Sequence, residues 1–541
     1  FILSLLVAIL EIICLLVLQP LISLINQDSN IPIQTFFSLQ NSDFTFILGT
    51  IFVFFLTLTS FLKVKTISFG HSISSYIGQA LGKRILKNFL GQNYKKHKSR
   101  PLVQVINTFT HHLTQSVNFL VFFLEFSIGF VTCFFISTFI IFKNPIITIG
   151  TFMSVAFGYF LIAKNYKSRI FKSGQITKES IDGVSKVIEE ITRNIENTIL
   201  NYNDLSIVEE FSKSDKSLRE SLAKVRNYSI LPKYIIEGIG ICAFSIFTVF
   251  YTFFLKPDDI QSSEIIGTLG TLVFGMQKLL PSVNTIYNSW SKMNAYIPSV
   301  LAVQNLISKN IENREKYIYH PKKNEFKYSI ELENISFNYE NKNILDNVSL
   351  KIKKGDKFLI KGNSGSGKTT LVHIIMTLLF PDLGKIKIDD CILENDESIK
   401  NWRSQIGYVK QKPYLKSGRI IDLFSHKKLN ANNKSEILNK AKLISKLVCI
   451  DKFIEKLPNK YFEYISEDGS TLSGGQIQRI ALGSSIASNP SILIMDESTT
   501  GLEKEIEYKI FENLQKISNL TLLVISHSQD VEKLFNNKII L

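Results

Sequence analysis

Between Gly362 and Thr370 the chain reads GNSGSGKTT, a spacing of glycines, hydroxyls and one lysine suited to gripping phosphate. It fits G-x-x-x-x-G-K-[ST], a loop whose backbone N–H groups can cradle a triphosphate. Gly362, Asn363, Ser364, Gly365, Ser366 and Gly367 supply that backbone, with Thr370 closing the stretch. Lys368 would reach the β- and γ-phosphates as a point charge, and the Thr369 hydroxyl would hold Mg²⁺. Further along, Gln411 in GYVKQKP is placed to touch Mg²⁺ and an attacking water. The tract LSGGQ places Ser473, Gly474, Gly475 and Gln476 at the start of a helix, with N–H groups free to bind a γ-phosphate. An apolar run from Ile492 to Met495 ends in Asp496 and Glu497, so that the first acid can hold Mg²⁺ and the second can polarise water. A second apolar run, Thr521 to Ile525, ends at Ser526–His527 and brings an imidazole towards the same phosphate. Tyr339, 23 residues before Gly362 in the alternating tract SFNYE, can stack on a purine or serve as an ordinary strand aromatic.

These groups need a scaffold. The tract KFLI (Lys357 to Ile360) reads as a buried strand and Lys368 to Leu379 as a helix, so the loop joins a strand to a helix N-terminus whose partial positive charge faces phosphate. The apolar runs before Asp496 and Ser526 read as further buried strands, giving an α/β P-loop NTPase domain from about residue 328 to 541. A polar, Lys/Asn-rich segment containing Pro321 precedes it, and residues 301–327 read as a linker.

The first 300 residues have a different character. Six segments, 1–25, 44–62, 117–142, 145–163, 235–255 and 265–283, are long and apolar enough for a hydrocarbon core of ~30 Å, which needs ~20 residues. The expected fold is multi-domain: an all-α six-helix transmembrane domain followed by the α/β domain. Net charge is +15, and such a basic chain invites a nucleic-acid reading. The distribution argues otherwise. Residues 63–115 hold nine Lys or Arg and no acid, and residues 164–234 hold thirteen, whereas the intervening loops at 26–43 and 256–264 are acidic. By the positive-inside rule both basic stretches and the nucleotide domain face the cytoplasm, and no nucleic-acid partner is expected. Both basic connections lack clustered Gly or Pro, so they read as membrane helices continued into the cytosol. The five cysteines are scattered without metal-type spacing and read mostly as small buried hydrophobes. The sequence begins at Phe1 and ends on an apolar run, and reads as trimmed at both ends.

Four charges fall in the spans: Glu11, Glu125, Glu237 and Lys278. Such groups are costly in hydrocarbon, and they mark function or pair inside the bundle. Lys278, with Glu125, is the candidate for contact with an anionic substrate; alternatively it pairs with Glu125 or Glu11.

GNSGSGKTT, LSGGQ, ILIMDE and ISH, in this order, resemble the ATP-binding cassette of ABC transporters over about 210 residues. Six preceding spans on the same chain resemble an exporter-type half-transporter. That resemblance implies ATP and Mg²⁺ as cofactors and a homodimer with composite sites. It also implies a multi-pass location in the bacterial inner membrane and cytoplasmic docking helices near Gly91–Lys98 and Tyr202–Val208. Glu467, in SEDGSTLSGGQ, is similar to the short loop that precedes the exporter signature. Tracts at Pro232, Glu237–Gly240, Leu280–Ser282 with Asn284, and Phe89–Lys96 are similar to bacterial lipid-linked oligosaccharide flippases, which implies an amphipathic glycolipid cargo. The same engine also serves peptide or drug exporters. Two positions depart from the family pattern: Thr500-Gly501-Leu502-Glu503 stands where S-A-L-D is usual, and Ser484 where an Arg is common.

Overall fold

The computed structural model describes residues 2–25, 41–143, 145–200, 204–254, 262–307, 326–339, 342–393, 396–425, 433–466 and 472–541. It divides into two units: Phe1–Gln92 with Lys98–Arg314, and Asn93–His97 with Glu315–Leu541.

The first unit is helical. Its long elements are α1 (Ile2–Ile25) and α2 (Asn41–Leu90). After the short α3 (Tyr94–Lys98), whose first four residues belong to the second unit, α4 (Leu102–Asn107) leads through a π-helical turn at Thr108–His112 into α5 (Leu113–Lys143). Then come α6 (Pro145–Arg193), the short α7 (Ile195–Leu200), α8 (Asp204–Phe254) and α9 (Ser262–Ile307). Thr45–Leu90, Leu102–Phe142 and Leu205–Phe250 each contain a stretch long and apolar enough to cross a membrane, and Ile2–Leu18 is a shorter apolar stretch. The expected spans at 145–163 and 265–283 lie at the starts of α6 and α9. The basic connections do continue as helix. At ~1.5 Å per residue, the 50 residues of α2 reach ~75 Å, more than twice the ~30 Å of hydrocarbon. The last helix also runs to Ile307, into the segment expected as linker.

Two devices hold this unit together. Small residues allow close approach: a Cβ added at Gly174 on α6 would fall 2.1 Å from the Ala295 carbonyl oxygen on α9. Hydroxyls then pair across helices, Thr177 with Ser221 at 2.9 Å, Ser180 with Ser217 at 2.9 Å and Ser229 with Ser291 at 2.8 Å. The interior charges are mostly partnered. Glu11 pairs with Lys63, Glu125 accepts from Ser289 at 3.4 Å, and Glu237 accepts from Asn284 at 3.2 Å with Lys233 at 3.8 Å. Lys278 therefore takes neither expected carboxylate; its ammonium lies over the Phe274 ring, 5.5 Å from the centroid.

The second unit is built on a five-stranded parallel sheet, ordered β11-β3-β10-β9-β6. These strands are β3 (Lys357–Lys361), β6 (Ile406–Val409), β9 (Ile492–Asp496), β10 (Thr521–Ile525) and β11 (Asn537–Ile540). Strands β9 and β10 are buried at every residue. That follows from their continuous apolar sequence, since helices cover both faces of a parallel sheet. A four-stranded antiparallel sheet, β2-β1-β4-β5, joins β1 (Ser329–Tyr339), β2 (Lys342–Lys353), β4 (Leu383–Ile388) and β5 (Cys391–Ile392). A small ribbon pairs β7 (Gly418–Arg419) with β8 (Tyr464–Ile465).

The helix after the phosphate loop, α10, spans Lys368–Ile375 and is shorter than the expected 368–379. Thr377 takes a left-handed conformation at φ 54°. Its N–H bonds to the Ile374 carbonyl at 2.8 Å and that of Leu378 to the His373 carbonyl at 2.9 Å. This is a Schellman stop with Thr in the place where Gly is usual, which apolar periodicity cannot reveal.

Candidate nucleotide-binding site

Four of the five parallel strands deliver groups to the same edge. The phosphate loop follows β3, Gln411 follows β6, Asp496 ends β9 with Glu497 next, and Ser526–His527 follow β10. The carboxyl ends of parallel strands are where such sheets bind ligands.

Within the loop, Gly367 has φ 96°, and an added Cβ would meet the Ile344 carbonyl oxygen at 3.0 Å, so only glycine fits there. The Lys368 ammonium, 7% exposed, donates to the carbonyls of Gly362 at 2.8 Å and Asn363 at 2.9 Å. Among the described residues it has no ion-pair partner. The Ser366 hydroxyl is buried and, among the described residues, has no hydrogen-bond partner. A buried cation bonded only to carbonyls and an idle hydroxyl in a turn of N–H groups fit an anionic phosphate chain. Thr369 lies 3.3 Å from Asp496 Oδ2, so one hydroxyl and one carboxylate converge as hard oxygen ligands, which fits Mg²⁺. Burial pushes the Asp496 carboxyl above the ordinary range, opposed by its hydrogen bond to Thr369 and the charge of Lys368.

Glu497 is held from two sides. Gln411 Nε2 donates to its Oε2 at 2.8 Å, and His527 Nε2 lies 3.3 Å from its Oε1. Its backbone is left-handed at φ 47°, a costly state for a side-chain-bearing residue and one that clusters at functional positions. The structure thus brings together Lys368, Thr369, Gln411, Asp496, Glu497 and His527. Tyr339 sits half-buried at the end of β1, with Phe337 edge-on at 5.1 Å. Ser473–Gln476 open α11 (Gly474–Ala487) through a capping box: Gln476 accepts from the Ser473 N–H at 2.8 Å, and its own N–H donates back to the Ser473 hydroxyl. Among the described residues, no hydrogen bond joins this tract to the phosphate loop. Glu503, exposed, is the N-cap residue of α12 (Lys504–Gln515), and its side chain caps nothing. Glu467 and part of the Tyr202–Val208 stretch lie outside the described residues.

Residues 345–500 match the family described as ABC transporter. That segment is an ABC transporter cassette. The cassette's relatives include ABC transporter B family member 29, chloroplastic, of Arabidopsis thaliana, 30% identical over 322 residues, covering 59% of this chain and 49% of that protein. The lacticin-481/lactococcin-DR transport/processing ATP-binding protein of Lactococcus lactis is 28% identical over 408 residues, 72% of this chain and 55% of that one. The alpha-hemolysin translocation ATP-binding protein of Escherichia coli is 38% identical over 202 residues, 37% and 28% of the two chains. This chain therefore spans about half, or less, of the length of these relatives. A bacterial Atm1-family ABC exporter with ATP bound superposes with a TM-score of 0.80 at 16% identity, covering 100% of this chain and 92% of that one. The cassette and the helical unit before it therefore have the fold of an ABC exporter.

Sequence reasoning missed three aromatic or imidazole groups behind the site. Tyr408 lies inside the quoted tract GYVKQKP, His373 on α10 and Tyr94 on α3. A lone ring, whether in the apolar runs around His373 and Tyr408 or in the basic tract around Tyr94, carries no motif, and only the fold brings these three together.

Proposed function

We propose that the chain is an exporter-type half-transporter that couples ATP hydrolysis in its cassette to movement of a cargo across a membrane. What supports this is the single sheet edge bearing Lys368, Thr369, Gln411, Asp496, Glu497 and His527, on a chain whose other unit has membrane-type helices. Mg²⁺ with ATP would supply the scissile phosphoanhydride and a divalent charge to stabilise it. The protein's own groups do the rest. The backbone of 362–367 and Lys368 would hold the phosphates, Thr369 and Asp496 with Gln411 would hold the metal, and Tyr339 would stack on the base. Glu497 orients the attacking water and takes its proton, while Gln411 and His527 fix the carboxylate's direction. The open side of the loop is completed in a homodimer by Ser473 and Gly475 of the partner subunit. The setting is a bacterial inner membrane with the cassette in the cytoplasm.

For cargo we propose an isoprenoid-phosphate-linked glycan passed to the outer leaflet. Lys278 supports it: a cation on α9 that has no carboxylate within ion-pair distance among the described residues and rests on a phenyl ring. Such a group suits a pyrophosphate passing along the bundle. A second reading, peptide export, is favoured by the 408-residue match to the lacticin transport protein. Vesicles carrying the purified chain, supplied with Mg²⁺ and ATP, should move labelled lipid-linked oligosaccharide between leaflets, more slowly with Lys278→Ala. Equal rates would remove Lys278 from the pathway. Export of a peptide without any glycolipid movement would establish the second reading instead.

A further inference from the structure

Asn93–His97 belongs to the second unit, although the chain on both sides of it belongs to the first. Its Tyr94 ring meets the His373 imidazole edge-on, with centroids 5.2 Å apart. His373, 6% exposed on α10, meets the Tyr408 ring at 6.4 Å, again edge-on. Tyr408 and Asp496 lie beside each other on neighbouring strands and interact electrostatically. Strand register explains that last link. Tyr408 on β6 pairs with Ile494 on β9, and Asp496 lies two residues further along β9, on the same face. Three rings in close packing thus run from α3 to the carboxylate that, in the reading above, holds the metal. Packing of this kind transmits strain from one ring to the next.

We propose that Tyr408 is a positioning residue for Asp496, and that Tyr94 sets its orientation through His373. The inference rests on the nucleotide-site reading and adds a route by which the Asn93–His97 segment reaches the metal ligand. Its readout is metal affinity, reached through Asp496 and not through the phosphate loop. Removing a group that orients a metal ligand typically costs ~10-fold or more in affinity.

The test uses the full chain in lipid nanodiscs with Mn²⁺ as the metal and a non-hydrolysable ATP analogue, reading bound Mn²⁺ by electron paramagnetic resonance. Tyr408→Phe keeps the ring contact and loses the hydroxyl; it should bind Mn²⁺ about 10-fold more weakly. Binding of the analogue without metal, which reports an intact loop, should not change. Tyr94→Ala should also weaken Mn²⁺, Tyr94→Phe should restore it, and Tyr94→Ala with Tyr408→Phe should be no weaker than Tyr408→Phe alone. Unchanged Mn²⁺ affinity in Tyr408→Phe, or multiplicative effects in the double variant, would overturn the proposal. Failure of the wild-type chain to bind Mn²⁺ with the analogue would bring down the nucleotide-site reading and this inference with it.

Discussion

At the scale of single residues, the site separates binding from chemistry. Lys368 is buried against two carbonyls and, among the described residues, pairs with no acid, so Lys368→Ala removes a cation without freeing a partner. Nucleotide affinity should fall while the fold survives, which calorimetry with the ATP analogue and a thermal melt would read separately. Glu497→Gln keeps the shape and the bond from Gln411 but loses the charge facing His527. ATP should bind normally and turnover should drop by ~10²–10⁴-fold; a rate within a few-fold of wild type would dismiss Glu497 as the base. One pH effect is also expected. Lys361 and Lys538 hold the Glu532 carboxyl down at about 2, below its ordinary value. A depressed acid stabilises the fold above its ordinary pKa and ceases to do so as pH falls through the depressed one. Glu532→Gln should therefore flatten the acid limb of a stability–pH curve between about 4.5 and 2.

At the scale of elements, legibility depended on whether a signal was local. The strands under the site announced themselves as short apolar runs ending in Asp496 or Ser526, and the loop glycines fixed the turn between β3 and α10. The end of α10 was not legible, because Thr377 stops the helix by a backbone conformation that its side chain does not advertise. Nor was the partner of each membrane charge: Glu11 finds Lys63 on another helix, a choice made by packing. Helix contacts were equally hidden, and Gly174 is a clear case. Gly174→Leu would drive a side chain into the Ala295 carbonyl. Overpacking of this kind costs ~1–3 kcal/mol, so the melting temperature should fall, whereas Gly238→Leu, where an added Cβ meets nothing within 4 Å, should be tolerated. A melt of both variants in the same detergent checks the contrast.

At the scale of the whole molecule, the prediction concerns assembly. In the proposed homodimer, cysteines placed at Ser364 and Ser473 should cross-link between chains when ATP is present. Cross-links confined to single chains, or full activity from a monomer, would refute the composite site. The second unit carries one more consequence. Its surface includes five residues, Asn93–His97, that are made more than 200 positions before its first strand begins at Ser329. During synthesis, that short segment must wait for the cassette to emerge before Tyr94 can cover His373. A cassette produced alone would leave that aromatic spot bare and should be prone to clumping. A short synthetic peptide containing Asn93–His97, added in trans, is expected to make it more soluble.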